Sequence, residues 1–167
     1  MRPAVEELET GLEPAELVVE NARRKARAGL AEAPDGVPVL GVDTEVELDG
    51  EVLGKAASEE DARHRLEALS GRTHTVLSGM VVIGRGEEER SGVARSQVSF
   101  LELDKEVVSL YLTSGEWRDR AGAYAIQGLG AILVERVEGD FSNVVGLPIR
   151  LLLSLVPGVL ENSQSHL

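Results

Sequence analysis

A carboxylate set in an apolar stretch is the first group in this sequence that could do chemistry. Asp43 follows Val39-Leu40-Gly41-Val42, and burying a carboxylate there costs a large desolvation penalty unless it is paired, metal-bound or open to a cleft. The competing reading places Asp43 and Thr44 at a solvated strand end or on a polar strand face. Lys25 and Lys55 lie on either side of Asp43 along the chain, and each is able to hold a phosphate. Lysines on a solvated face are common, so residue type alone leaves both readings open. The stretch Gly115-Glu116-Trp117-Arg118-Asp119-Arg120-Ala121-Gly122-Ala123-Tyr124-Ala125-Ile126-Gln127-Gly128 is the third candidate. Its glycines allow close backbone approach, its two arginines bring charge for an anion, and Gln127 offers donor and acceptor to a planar base edge. An ordered surface loop with an ordinary salt bridge is the alternative there. His74 reads as structural, because no second His or Cys lies near enough to form a metal pair, and Trp117 reads as a packing residue.

The elements that must position these groups follow from periodicity and punctuation. Ala15, Val18, Ala22 and Ala26 recur at helical spacing after Pro14, which predicts a helix from Pro14 to about Leu30 carrying Lys25. Pro34, Asp35, Gly36 and Pro38 break it. Val39 to Leu48 then reads as a strand containing Asp43, turning at Asp49-Gly50 into Glu51-Val52-Leu53. Ser58 is suited to cap a second helix that uses Ala62, Leu66 and Leu69, puts His64 on its polar side and stops at Ser70-Gly71. Thr73 to Ile83 and about Val93 to Leu103 read as an antiparallel pair joined by the acidic segment Gly84 to Gly92. Asp104 caps a third helix ending at Ser114-Gly115, Ala131 to Val137 reads as another strand, and a last helix opens at Pro148 and ends by Pro157. The tail from Glu161 to Leu167 reads as frayed. Helices interspersed with hairpins and single strands predict an α/β domain on a mixed sheet, one domain over 1–167 with no internal repeat.

Composition narrows the class of function. A chain of 167 residues with 43% apolar residues can bury a core. A net charge of −12 with 3% aromatics argues against a nucleic acid polymer as partner, since neither a basic face nor stacking platforms are available. One small polyanion is still a feasible ligand, provided that a metal ion or a few local Lys and Arg side chains offset the overall field. With no cysteine there is no thiol chemistry, which suits a reducing cytosol. No apolar run approaches a membrane span and no signal-peptide pattern is seen at Met1 to Glu7, so the expectation is a cytoplasmic protein with no membrane partner.

Six stretches, in order, resemble the successive motifs of the Maf family. They are Gly41-Val42-Asp43-Thr44, Val52-Leu53-Gly54-Lys55, Leu69-Ser70-Gly71-Arg72-Thr73-His74-Thr75-Val76, Ser114-Gly115-Glu116, Ala121-Gly122-Ala123-Tyr124-Ala125-Ile126-Gln127-Gly128 and Val144-Val145-Gly146-Leu147-Pro148. The resemblance implies an elongated mixed sheet flanked by helices, similar to that of the inosine triphosphate pyrophosphatases, with the nucleotide in a cleft between two lobes. It implies cleavage of a nucleoside triphosphate between the α and β phosphates with a divalent cation, Mg or Mn. By that likeness Asp43 is the base that activates water, Thr44 and Gln127 are base-selecting positions, Lys25 and Lys55 lie near the phosphates, and Glu7 joins Asp43 as an acidic metal-site residue. The glutamine in Ala-Gly-Ala-Tyr-Ala-Ile-Gln-Gly is typical of the branch acting on dTTP and UTP, modified pyrimidine nucleotides included. A homodimer is expected by similarity only.

This sequence departs from the family pattern ahead of Arg2, where members carry a buried strand and a Ser-x-Ser-Pro-Arg-Arg loop. Such a loop supplies donors to the triphosphate, and one missing electrostatic donor costs about 3 kcal/mol of transition-state stabilisation. The expectation is therefore an N-terminally truncated pyrophosphatase in which the loss of several such donors lowers or abolishes turnover. The alternative expectation is a non-catalytic remnant that binds a nucleotide or a partner linked to septum formation. Smaller departures are Val42, Ala56, Trp117 and Arg120, where Ala, Pro, Pro and Lys are usual.

Overall fold

The computed structural model describes residues 5–8, 11–84, 86 and 88–157. Helix α1 (Pro14–Glu32) starts with proline in its first turn and buries Leu17, Val18, Asn21, Ala22 and Ala26 along one stripe. Strand β1 (Val39–Leu48) turns back into β2 (Glu51–Val52) through Asp49 and Gly50, whose φ of 56° and 85° suit a two-residue hairpin. Helix α2 (Glu59–Leu69) is capped by Ser58, whose hydroxyl accepts from the Asp61 amide at 3.1 Å. Strands β3 (Thr73–Ile83) and β4 (Glu89–Phe100) lead to helix α3 (Lys105–Ser114), capped by Asp104 accepting from Val107 and closed by left-handed Gly115. A 3-10 turn (Gly128–Leu133), strand β5 (Val134–Glu138) and helices α4 (Phe141–Val145) and α5 (Ile149–Leu155) complete the described chain.

The α/β domain with helices flanking a sheet is as expected. The sheet runs β2-β1-β3-β4-β5, and all four of its pairings are antiparallel. Side chains of Val46, Leu48, Val76, Val98 and Phe100 join α2 and α3 in the larger apolar cluster, whereas Val81 and Ile83 meet Ala22 and Ala26 of α1 in a smaller one. This division is the period-two alternation of strands resolved into two faces. No helix among the described residues is long and apolar enough to cross a membrane.

Two strand boundaries and one helix differ from expectation. Strand β4 runs from Glu89 to Phe100 rather than from Val93 to Leu103, because Glu89 to Gly92 pair with Met80 to Ile83 despite being polar. Leu101 and Leu103 instead send their amides to Leu133 O and Ser70 Oγ. The strand expected at 131–137 begins only at Val134, since Gly128 to Leu133 are wound into the 3-10 turn. Helix α4 was not foreseen; Asp140 Oδ1 accepts from the amide and hydroxyl of Ser142 and starts a helix of five residues. The tail 161–167 lies outside the described residues.

Candidate active site

Asp43 sits on β1 opposite Gly79 of β3. Both Gly41 and Gly79 lie directly beneath α1. A Cβ at Gly41 would fall 2.0 Å from Ala22 O and one at Gly79 would fall 2.3 Å from the Val18 backbone, so the helix rests against bare strand backbone. That close approach carries Asn21 and Lys25, one turn apart on the helix, over Asp43. Asp43 is only 4% exposed. Lys25 Nζ donates to its Oδ1 at 2.6 Å and Asn21 Nδ2 to its Oδ2 at 3.3 Å.

The same two helix residues organise residues 5–8. Asn21 Oδ1 accepts from the Leu8 amide at 2.8 Å while Asn21 Nδ2 donates to Leu8 O at 2.9 Å, a two-way pairing with backbone. Glu7 next to it takes Lys25 Nζ at 2.6 Å on one oxygen and Lys55 Nζ at 2.8 Å on the other. Lys25 thus bridges Asp43 and Glu7, and Glu7 bridges the two lysines. Burial pulls the Lys25 ammonium down, but its bonds to Asp43 and Glu7 and their charges outweigh that and raise it. Burial likewise pushes Glu7 up, and the two lysines more than reverse it, leaving the carboxylate below its ordinary value.

Glu45 lies two residues along the strand from Asp43, on the same face. Its Oε2 is buried and has no hydrogen-bond partner among the described residues. Burial first, then the neighbouring Asp43 and Glu7 carboxylates, push its acid up to about 7, with Lys55 and Lys25 opposing.

These groups line a cleft of about 1210 Å³ that also takes in Thr44, Arg120 and Gln127. Within the described residues β2 pairs with β1 only at Glu47 and Leu48, so the stretch from Val39 to Glu45 forms a sheet edge and side chains of both faces reach the cleft. Thr44 Oγ1 lies 2.7 Å from Ser78 Oγ, which in turn donates to Asn143 O at 3.4 Å, tying the threonine to α4. Lys55 is fastened to the Gly-rich loop by a bridge to Ala121. The loop is packed so tightly there that a Cβ on Gly122 would lie 2.9 Å from Val46. All five residues singled out for the site, with Glu7, therefore surround one cavity.

His74 and Trp117 are buried away from this chemistry. His74 Nε2 shares a 2.8 Å hydrogen bond with Tyr124 OH amid edge-on contacts to Phe100 and Tyr124, and burial holds its acid down at about 4. Trp117 donates from Nε1 to Leu112 O and packs in the larger cluster. Asn21 and Glu45 were missed by inspection of the sequence. Asn21 gives a signal in hindsight, a carboxamide on the apolar stripe of α1; Glu45 does too, an acid at strand spacing from Asp43.

For a divalent cation the donor set is suitable in kind. Asp43, Glu7 and Glu45 offer hard oxygens, and the partnerless Glu45 Oε2 has unused acceptor capacity. No three acidic or His side chains converge as a ready-made cage among the described residues. That matches the way Mg is ordinarily held, by one or two carboxylates together with water and substrate phosphates.

Comparison with known proteins gives the following likenesses. The family profile described as Maf-like protein matches residues 1–159. A dTTP/UTP pyrophosphatase of Pyrococcus abyssi is 41% identical over 152 residues, covering 91% of this chain and 80% of that protein. Proteins of the same name from Deinococcus radiodurans and Symbiobacterium thermophilum are 46% and 48% identical, over 87% and 81% of this chain and 74% and 69% of theirs. Among solved structures, a nucleoside-triphosphatase (dITP/XTP pyrophosphatase) from Mycobacterium abscessus aligns with a TM-score of 0.42 at 22% identity, over 61% of this chain and 58% of that one.

Proposed function

From the premise that the chain belongs to the Maf family, we propose that it is a nucleoside triphosphate pyrophosphatase that hydrolyses dTTP and UTP to the monophosphate and pyrophosphate. The observation that carries the reading is the buried Asp43 carboxylate, bonded to Lys25 and lining one cleft with Lys55, Thr44 and Gln127.

Asp43 accepts a proton from water at Oδ2, which among the described residues is held only by the long Asn21 contact, while Lys25 keeps Oδ1 in place. Lys25 and Lys55 offset charge on the phosphates, the local compensation that a chain of net charge −12 requires. Thr44 and Gln127 meet the base. Asp43 and Glu7 would hold Mg or Mn, with Glu45 beside them, and the ion when bound supplies Lewis-acid charge stabilisation.

The test is pyrophosphate release from a panel of nucleoside triphosphates with Mg or Mn. It is run on this chain and on one preceded by the strand and Ser-x-Ser-Pro-Arg-Arg loop of the family pattern. dTTP and UTP should lead the panel, and Asp43→Asn should lower turnover by about 100-fold or more. Equal use of all nucleotides, or an Asp43→Asn variant that keeps its rate, sinks the assignment.

A further inference from the structure

Glu116 has no role in the chemistry above, yet its carboxylate is spent on backbone at the edge of the cleft. It follows Gly115, whose φ of 73° ends α3 and turns the chain back. Glu116 Oε1 accepts from the Leu129 amide at 3.1 Å and Oε2 from the Gly130 amide at 3.2 Å. These two amides come directly after Gln127-Gly128. Gly128 has φ +70°, and a Cβ there would lie 2.7 Å from Glu116 Oε1, so the carboxylate rests against backbone that only glycine leaves open.

A second anchor from the same helix lies on the other side of Gln127. Tyr111 OH, from the buried face of α3, accepts from the Ala125 amide at 3.0 Å. Between the Tyr111 and Glu116 anchors only residues 126–128 remain, and Ile126 among them is buried, leaving Gln127 exposed to the cleft. A carboxylate meets each of the two N–H donors with its own oxygen, whereas a carboxamide would set its NH2 group against one of them.

We propose that Glu116 is a positioning residue for base recognition: by clamping the amides of Leu129 and Gly130 it fixes the backbone from which Gln127 presents its carboxamide to the nucleobase. This rests on the reading of Gln127 as a base-facing residue. Phosphate binding falls to Lys25 and Lys55, which bond to Asp43 and Glu7 while Glu116 bonds to the Leu129 and Gly130 amides, so loss of the clamp should spare it.

The experiment compares calorimetric binding of UTP, CTP and inorganic tripolyphosphate, each with Mg, to the unaltered chain, Glu116→Ala, Glu116→Gln and Gln127→Ala. Glu116→Ala should weaken UTP roughly tenfold and narrow the UTP to CTP preference, with tripolyphosphate changed by less than about twofold. Glu116→Gln, keeping one acceptor, should fall between, and it carries the test if the alanine variant does not fold. A Glu116 variant that loses UTP and tripolyphosphate alike marks a general structural role and overturns the proposal. One that changes nothing while Gln127→Ala narrows the preference overturns it too, leaving the base-facing reading intact. If Gln127→Ala leaves the preference unchanged, or the unaltered chain does not favour UTP over CTP and tripolyphosphate, the base-facing reading falls and this proposal with it.

Discussion

The protonation of the Glu45 side chain is coupled to folding. Its folded-state acid sits at about 7, above its ordinary 4.5, so between those values the native chain holds more protons than the unfolded one. Stability must then fall as pH rises through that window and level off beyond it. Glu45→Gln removes the penalty: in chelator, urea midpoints should show a gain on the order of 2–3 kcal/mol at about pH 8 and little change near pH 4. A variant less stable than the parent at pH 8 contradicts this. His74 works in the opposite sense, since burial holds it near 4 against 6.5 and its contribution is lost as pH falls between those values. Asp43 in its apolar stretch and Gln127 in its Gly-rich one stood out in the sequence, whereas Lys25, set among Arg23, Arg24 and Arg27, and Lys55 were assigned to the site only by the family resemblance. Glu45 stands at strand spacing from Asp43, but Glu47 continues the same alternation, so nothing local set it apart; its burial depends on a cleft wall contributed by distant segments.

The contact of α1 with β1 and β3 sets the height of Asn21 and Lys25 above Asp43. Two glycines are needed because helix backbone, rather than side chains, lies above them. Gly79→Ala should cost about 1–3 kcal/mol by overpacking and should lift Lys25 and Asn21 from Asp43, so turnover should drop more than the melting shift alone explains. Parallel chemical denaturation and pyrophosphate assays check this, and a variant with wild-type stability contradicts it. Elements announced by local chemistry were readable: α1 by Pro14, α2 by Ser58, α3 by Asp104 and the first hairpin by Asp49-Gly50. The 3-10 turn was not, because Ala131-Ile132-Leu133 has a strand's composition. Its winding accompanies amide bonds at Leu129 and Gly130 that go to Glu116, a partner more than ten positions away.

Charge acts on the whole molecule. A net −12 repels a triphosphate at long range, while Lys25 and Lys55 attract it only once it is inside the cleft. Raising ionic strength from about 10 mM to about 150 mM shortens the screening length from about 30 Å to about 8 Å, so the association rate of UTP should rise with salt. Stopped-flow measurement of a fluorescent UTP analogue reads this directly, and a rate that falls with salt places attraction, not repulsion, at the encounter step. The cleft's lysines are themselves tied up with Glu7 and Asp43, which keeps the outward field acidic.

Asn21 couples order to chemistry. A single carboxamide holds Leu8 by both its donor and its acceptor and touches Asp43 as well. If residues 5–8 peel away, Glu7 leaves with them, Lys25 and Lys55 lose a shared counter-ion, and one of the carboxylates that would chelate a cation is gone. On the proposed reading of Glu7, local melting of these few residues and loss of the cation site are one event, governed by a latch inside α1 instead of by the sheet.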